Sequence, residues 1–458
     1  MNKKINILFV ESFVARSTFL LLAFSCLWSF FYSSEIKFVS FFLFFLCNLI
    51  FVSLVGFSKI IFSPVFWLLL SFDLYYVLGA FVYEPATYLL EAYHQSLFLC
   101  SLFFFFLMVA FVLFKSVVIS RKLEMYASSL HVINPRRLVF ISLTMVFLSL
   151  VYSYFLSSIF SSGGTHLERS LETQNNGVTY LFRITNFFNI VFYYLLAYCF
   201  LNRKKLVLVS FVGILMFIYY IISENRAGAI ILLFSYIYMY NAHIKHVKLL
   251  PLIFMSPLVL FVFIYIGYVR NFSGEDISFY LDVFGDMIHD LSFMVKLFIA
   301  RLDVFPSLVM GVYNYQQGNI EPLYGSSLYF SVLHSIPRNI WEGKPLLTSA
   351  LVTSINYPGL FADGVNVYCS AILEGFINLE LFGVVIWAIL IGIFSGFFYN
   401  IHIKGYYFYS VLVLSLFTFP MGLLNEGFHS NYTSVFLMQL IYVFVWLKVL
   451  KWLGVLSV

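Results

Sequence analysis

Long runs of apolar residues, separated by short polar segments, make up most of this chain. Each run continues for about 20 residues without the alternation that indicates membrane β-strands. Such runs predict membrane-spanning helices, because backbone polar groups in hydrocarbon must be satisfied within their own segment. We predict about twelve spans. They lie near 13–33, 38–57, 61–83, 96–118, 138–160, 180–201, 206–223, 227–241, 249–269, 382–400, 405–424 and 432–450.

The composition supports an all-α polytopic membrane protein. Hydrophobic residues make up 62% of the chain and charged residues only 10%, whereas soluble domains carry about 25% charged residues. The chain also contains 58 Phe and 33 Tyr, more apolar surface than one water-facing fold can bury. A soluble protein is therefore excluded.

The charges predict the orientation of the spans. With the N-terminus in the cytoplasm, alternating spans place most of the 26 Lys and Arg residues in cytoplasmic loops and most of the acids outside. Both termini are then cytoplasmic. The net charge of +5 reflects this topology, facing an anionic membrane leaflet, and indicates no nucleic-acid partner.

One long interval does not fit a simple series of spans. Residues 270–381 are predicted to form a large loop outside the cytoplasm, between spans 1–9 (residues 1–269) and spans 10–12 (residues 382–458). Within this loop Asp282, Asp286 and Asp290 recur every four residues. On one helix they would form an acidic face, which is typical of an amphipathic helix at the membrane surface.

Cations outside the cytoplasm are the first candidate site residues. Arg226 lies in a tight turn between two spans, and Arg338 and Lys344 lie in a loop stiffened by prolines. Arginine suits phosphate oxygens at the level of the lipid headgroups because its guanidinium offers a planar fork of donors. Arg301 is a fourth candidate. The alternative is that these cations only pair with nearby acids.

Candidate general bases also lie outside the cytoplasm. Glu374 opens the helix that leads into the tenth span, and Glu426 and His429 share a short turn between the last two spans. A base that deprotonates a sugar hydroxyl needs hydrogen-bond reach and a suitable pKa. The sequence contains no phosphate-binding, dinucleotide or zinc motif, and its cysteines have no metal-type spacing. No cofactor or metal is therefore expected.

Three stretches resemble a known family. They are Tyr324-Gly-Ser-Ser-Leu-Tyr329, the Pro-Arg-x-x-Trp-x-x-Lys-Pro pattern of 337–345, and Ile372-Leu-Glu-Gly-Phe-Ile-Asn-Leu-Glu-Leu-Phe-Gly383. Together with the predicted layout and the Arg-Gly turn at Glu224-Asn-Arg-Ala-Gly228, they resemble the Wzy-type oligosaccharide repeat-unit polymerases of bacterial O-antigen and capsule synthesis. Glu380 departs from the pattern, since it stands where a small residue is expected.

The resemblance implies a membrane glycosyltransferase of GT-C type in the bacterial inner membrane. Its substrates would be undecaprenyl-pyrophosphate-linked oligosaccharide units, joined at the periplasmic face by transfer of the growing chain onto a new unit. Arg226, Arg338, Lys344 and Arg301 would bind the pyrophosphate, and Glu374, His429 or Glu426 would act at the acceptor. A separate membrane protein is expected to regulate chain length.

Two other functions remain open at this point. The ligase that transfers finished O-antigen to lipid A core shares the architecture and the large late loop. A flippase for lipid-linked oligosaccharides belongs to a different class, and typically shows an internal repeat and charged spans. Here the spans are poor in charge and no repeat is visible, which favours the enzyme.

Overall fold

A computed structural model describes residues 64–114, 131–160, 192–200, 206–222, 226–245, 261, 264–265, 268, 277–299, 302–334, 336, 340–341, 343–362, 365–404 and 419–457. These residues are almost entirely helical. The helices are α1 (Pro64–Phe72), α2 (Gly79–Val82), α3 (Leu90–Phe114), α4 (Pro135–Phe160), α5 (Leu206–Ile222), α6 (Arg226–His243), α7 (Ile277–His289), α8 (Leu291–Ile299), α9 (Val304–Gln316), α10 (Ser326–Leu333), α11 (Thr348–Asn356), α12 (Pro358–Ala362), α13 (Ala371–Lys404), α14 (Phe419–Glu426) and α15 (Asn431–Trp452).

Three shorter kinds of structure complete the described chain. A π-helical segment, Asp73–Leu78, joins α1 to α2, and a 3-10 turn, Thr87–Leu89, precedes α3. The strands β1 (His131–Val132) and β2 (Leu456–Ser457) form an antiparallel pair. The described chain divides into two compact units, the first drawn from Met1–Val118, Ile299–Ile403 and Phe417–Ser434.

The first unit has a helical core. The side chain of Tyr76, in the π-helical segment, donates a hydrogen bond to the carbonyl of Leu424 in α14 at 2.8 Å. Helices α3 and α13 approach closely at Gly392, where an added Cβ would lie 2.5 Å from the carbonyl oxygen of Leu107. Small residues allow helices in apolar surroundings to pack at such short range.

Helix α13 is interrupted near its start. Leu379 and Glu380 have non-helical backbone angles, and Glu380 has a positive φ of 51°. The chain turns back at this break, so that a Cβ on Gly375 would lie 2.8 Å from the carbonyl oxygen of Gly383. Because positive φ favours a residue without a Cβ, the break also explains why a small residue is expected at position 380.

The second unit is also helical. Helices α5 and α6 pack together, and the hydroxyl of Tyr236 donates to the carbonyl of Val209 at 2.5 Å. Helix α7 buries Val283 and Met287 against Ile264. These contacts use the apolar side of α7, as expected for an amphipathic helix.

The acidic face predicted through residue 290 is shorter than expected. Asp282 and Asp286 are exposed on α7, but the helix ends at His289. The carboxylate of Asp290 instead accepts hydrogen bonds from the backbone of Ser292 at 2.8 Å and Phe293 at 3.1 Å. Aspartate is a favoured N-cap because it satisfies these free N–H groups. The prediction that Asp290 belongs to the acidic face of this helix is therefore wrong.

Two described helices are long and apolar enough to cross a membrane, Thr87–Phe114 and Ala371–Asn400. The described helices also occupy much of the intervals predicted at 61–83, 138–160, 206–223, 227–241 and 432–450. The predicted spans at 13–33 and 38–57, most of 249–269 and most of 405–424 lie outside the described residues.

Candidate functional site

Glu374 lies at the start of α13, where the local sequence fixes its backbone. The hydroxyl of Ser370 accepts a hydrogen bond from the backbone N–H of Leu373 at 3.1 Å and so caps the helix. The break at residues 379–380 then turns the chain after two helical turns. Glu374 is therefore carried by a short, capped helical segment rather than by the centre of a long straight helix.

The carboxylate of Glu374 is completely buried. It accepts hydrogen bonds from the backbone N–H groups of Phe428 at 2.5 Å and His429 at 3.1 Å. A buried carboxylate is stable only when its oxygens are satisfied in this way. Glu374 therefore fixes the turn that carries His429.

Helix α10 contributes to the same cluster. Asn378, one turn after Glu374, accepts a hydrogen bond from the N–H of Gly325 at 2.9 Å and donates one to the hydroxyl of Ser327, also at 2.9 Å. Ser327 in turn hydrogen-bonds the side chain of Glu374. Two of the stretches on which the family resemblance rests, 324–329 and 372–383, are therefore in direct contact.

The turn after α14 requires glycine at its first position. Gly427 has a φ of +79°, and a Cβ there would overlap the carboxylate of Glu374. The hydroxyl of Ser430 donates to the carbonyl of Gly427 at 2.8 Å, and that of Thr433 to the carbonyl of Phe428 at 2.5 Å. The turn is thus held from both sides, by Glu374 and by its own hydroxyl groups.

His429 is buried at the end of this turn, with 3% of its surface exposed. Its Nδ1 lies 3.1 Å from the hydroxyl of Thr348, and its Nε2 has no hydrogen-bond partner in the part of the chain that the structure describes. Burial, and secondarily the charge of Lys344, lower the pKa of His429 to about 4. The ring is therefore neutral at physiological pH.

Lys344 is also buried, and its ammonium group is engaged by backbone. The Nζ atom donates to the carbonyl of His334 at 2.6 Å and to that of Ile336 at 3.1 Å. These carbonyls follow the C-terminal end of α10, where cations are favourable because the last helical carbonyls lack partners. The geometry supports a structural role, in which Lys344 holds the backbone that leads into the 337–345 motif.

Glu426 is the last residue of α14, three residues before His429. Burial raises its pKa to about 7. A carboxyl group with this pKa is half ionised near neutral pH, which is the value best suited to a general base. Of the three predicted acceptor-side residues, Glu426 has the protonation behaviour that base catalysis needs.

The side chains of the predicted arginines lie outside the described residues. Arg226 begins α6, in the second unit, and its side chain lies outside the described residues. Arg301 and Arg338, together with the possible ion-pair partners Glu342 and Asp363, also lie outside them. In the described ranges no three His, Cys, Asp or Glu residues are grouped to hold a metal ion.

Several residues of this cluster were not predicted from the sequence. They are Thr348, Ser327 and Asn378, which hydrogen-bond the predicted residues or their supports. The sequence did contain an indication for Asn378, because this residue lies one helical turn after Glu374 and therefore on the same face of the helix. Ser327 also had one, because it lies in the 324–329 stretch on which the family resemblance rests. Thr348 had none, because a single hydroxyl residue in a long loop carries no pattern.

Comparison with known protein families gives a match over nearly the whole chain. The family model described as O-antigen polysaccharide polymerase Wzy matches residues 7–454. No curated protein and no solved structure gave a significant match. The matched range includes the stretches 324–329 and 372–383, which meet at Glu374. The chain belongs to the O-antigen polysaccharide polymerase family Wzy.

Proposed function

We propose that this protein polymerises lipid-linked oligosaccharide repeat units into O-antigen at the periplasmic face of the bacterial inner membrane. The observation that carries the proposal is the match of the Wzy family model to residues 7–454. The finer features belong to the same proposal: about twelve spans, a GT-C-type architecture and cytoplasmic termini. The lipid carrier is proposed to be undecaprenyl pyrophosphate.

The reaction exchanges one bond at a sugar carbon for another. The bond between the anomeric carbon of the growing chain and its lipid pyrophosphate breaks, and the pyrophosphate leaves with the bonding electron pair. A hydroxyl oxygen of the new unit bonds to the same carbon, and its proton passes to a base. Catalysis therefore requires a base at the acceptor and positive charge at the leaving group.

Glu426 is proposed as the base, since burial holds its pKa at about 7. The carboxylate of Glu374 is engaged by the backbone N–H groups of Phe428 and His429 and by the side chain of Ser327, so we assign it a positioning role. His429, neutral and with a free Nε2 in the described structure, is assigned to orient the acceptor hydroxyl through a hydrogen bond.

The leaving pyrophosphate is assigned to Arg226, Arg301 and Arg338. Guanidinium groups bind phosphate oxygens through paired hydrogen bonds and stay charged at every physiological pH. Lys344 belongs to the same motif as Arg338, but its ammonium group bonds two carbonyls. Its proposed contribution is to fix this motif's backbone.

The direct test uses purified protein and synthetic undecaprenyl-pyrophosphate-linked repeat units, with products separated on a gel. A ladder of lengths in the absence of lipid A core is the expected result. A ligase would instead require the lipid A core acceptor and would add no further units, and that outcome overturns the proposal. In cells, Arg226→Ala or Arg338→Ala should leave the protein in the membrane with only single-unit lipopolysaccharide, whereas normal long ladders from both variants would contradict the assignment of the arginines.

A further inference from the structure

A chain of aromatic contacts connects the surface of the first unit to His429. The ring of Phe330 is the centre of this chain. Its centroid lies 5.5 Å from that of Tyr329, 5.9 Å from that of Trp341 and 6.0 Å from that of His429. Tyr329 is 65% exposed, whereas His429 is only 3% exposed. We call Tyr329, Phe330 and Trp341 the aromatic triad.

The triad joins two of the stretches on which the family resemblance rests. Tyr329 and Phe330 lie in α10, and Trp341 lies in the 337–345 motif. In α10 the buried positions are Ser327 and Ser331, so the exposed ring of Tyr329 does not serve the core of the unit. Partly exposed aromatic rings beside a polar cluster are typical of ligand sites.

The inner end of the triad carries an unmet hydrogen-bonding atom. Nε2 of His429 is buried and lacks a partner in the described chain, an arrangement that costs free energy unless a ligand or water completes it. Its Nδ1 is already engaged by Thr348. In the described structure, Nε2 is therefore the one polar atom of the His429 side chain that is left to bind a ligand.

We propose that the aromatic triad and His429 form the subsite for the terminal sugar ring of the acceptor unit. The pyranose ring stacks through its C–H face on Trp341 and Tyr329, as aromatic surfaces with a polar neighbour allow. One sugar hydroxyl exchanges a hydrogen bond with Nε2 of His429. Since Nε2 has no solvent contact in the free protein, binding requires a neighbouring side chain to move, and Phe330, whose ring centroid lies 6.0 Å from that of His429, is our candidate. This inference rests on the proposed function.

The same exposed rings also suit a lipid surface, and this is the competing occupant. Val332 and Ile340 extend the apolar exposure around the triad. Acyl chains, however, leave the unpaired nitrogen of His429 unexplained. The buried Nε2 of His429 has no hydrogen-bond partner in the described residues, and a lipid tail would not supply one. A sugar supplies both an apolar face and hydroxyl groups.

The test measures polymerisation kinetics at varied concentrations of the synthetic lipid-linked repeat unit. Trp341→Ala is expected to raise KM about tenfold, which corresponds to the loss of one stacking contact. Trp341→Tyr, which keeps a ring, is expected to restore most of the affinity. The matched control is Trp452→Ala, because Trp452 is 84% exposed and lies outside the triad; its KM should be unchanged.

The outcomes separate this inference from the proposed function. If the wild-type protein produces no ladder, the proposed function fails. If the wild-type protein polymerises but Trp341→Ala and Tyr329→Ala both keep the wild-type KM, only the subsite is wrong. A second measurement uses nanodiscs containing brominated acyl chains. The fluorescence of Trp341 is obtained as the difference between the wild-type protein and Trp341→Phe. Strong quenching of this fluorescence by the brominated chains would place Trp341 against lipid and overturn the subsite. Protection of the same fluorescence by the repeat unit supports the subsite.

Discussion

The carboxylate of Glu374 holds the backbone, not the side chain, of His429. Its oxygen accepts the His429 N–H at 3.1 Å, next to the bond from Phe428. Glu374 lies in α13 and His429 in the turn after α14, so the bond from Glu374 fixes the backbone from which the His429 ring projects. This relationship makes Glu374 a positioning residue whose loss acts through its neighbour.

Glu374→Gln should therefore reduce both stability and polymerisation. The amide oxygen of glutamine can accept one backbone N–H, but its NH2 group faces the other, which leaves a buried donor unpaired at a cost of about 1–3 kcal/mol. Thermal unfolding in detergent and ladder formation measure the two effects. Glu380→Gln is the matched control, since Glu380 is exposed on the same element. Wild-type melting of Glu374→Gln would show that these bonds contribute nothing.

Polymerisation should rise with pH through about 7, because Glu426 must lose its proton to act as a base and burial raises its pKa to about 7. Below this pH, kcat/KM should fall about tenfold per pH unit. Glu426→Gln should abolish this limb, and Glu321→Gln, at an exposed acid, should retain it.

The contribution of Glu426 to the stability of the folded protein changes with pH in the opposite direction to its contribution to activity. Its pKa in the folded protein exceeds the ordinary value of 4.5, so its contribution is most favourable below about pH 4.5 and declines as pH rises to about 7. An activity increase over this range therefore does not come from tighter folding. If Glu426→Gln kept the acidic limb, the base would have to be another group.

His429 should make the protein less stable as pH falls from about 6.5 to about 4. The pKa of this side chain is lowered from 6.5 to about 4 in the folded protein, so only the unfolded state takes up a proton across this range. The loss is on the order of 3 kcal/mol. The melting temperature as a function of pH measures it, and His429→Gln should flatten the profile. An unchanged profile would mean that another group causes the loss.

Lys344→Met should lower stability more than it weakens pyrophosphate binding. The substitution keeps the apolar stem but removes both donors from the carbonyls of His334 and Ile336, at a cost of about 1–3 kcal/mol. Melting and the inhibition constant of undecaprenyl pyrophosphate measure the two effects. Lys296→Met, at an exposed lysine, is the control. A large loss of inhibitor binding with unchanged melting would instead make Lys344 a pyrophosphate ligand.

Gly383→Ala should prevent normal folding, because the added Cβ would overlap the carbonyl of Gly375. The matched variant is Gly285→Ala, where an added Cβ meets nothing within 4 Å. The yield of monodisperse protein in detergent measures both. Equal yields would show that the backbone can separate at this contact without consequence.

The hydropathy pattern predicts most of the described helices, because apolar run length and backbone satisfaction in lipid are local properties of the chain. It starts the tenth span at residue 382, beside the break at Leu379 and Glu380, but it does not indicate that the chain turns back there. Asp290 shows the same limit. Its four-residue spacing indicates a continuing helix, but its carboxylate caps the next one.

The candidate site was only partly predictable. Glu374, Glu426 and His429 stand out as ionisable residues in an apolar chain, and the structure places them near one turn. What they contact depends on residues up to 81 positions away, which a sequence pattern does not specify. The structural role of Lys344 follows from two backbone carbonyls, and backbone contacts leave no pattern of residue types.

The reversal of the chain at Glu380 also changes how much of α13 is available to cross a bilayer. The segment before the break folds back on Gly383, so its eight residues add nothing to the crossing length. Residues 381–400 extend for about 30 Å at the usual helical rise, which equals the thickness of the hydrocarbon core. We therefore expect Glu374 to lie at the headgroup boundary, which is where the proposed function requires a lipid-linked pyrophosphate and a water-soluble sugar chain to meet.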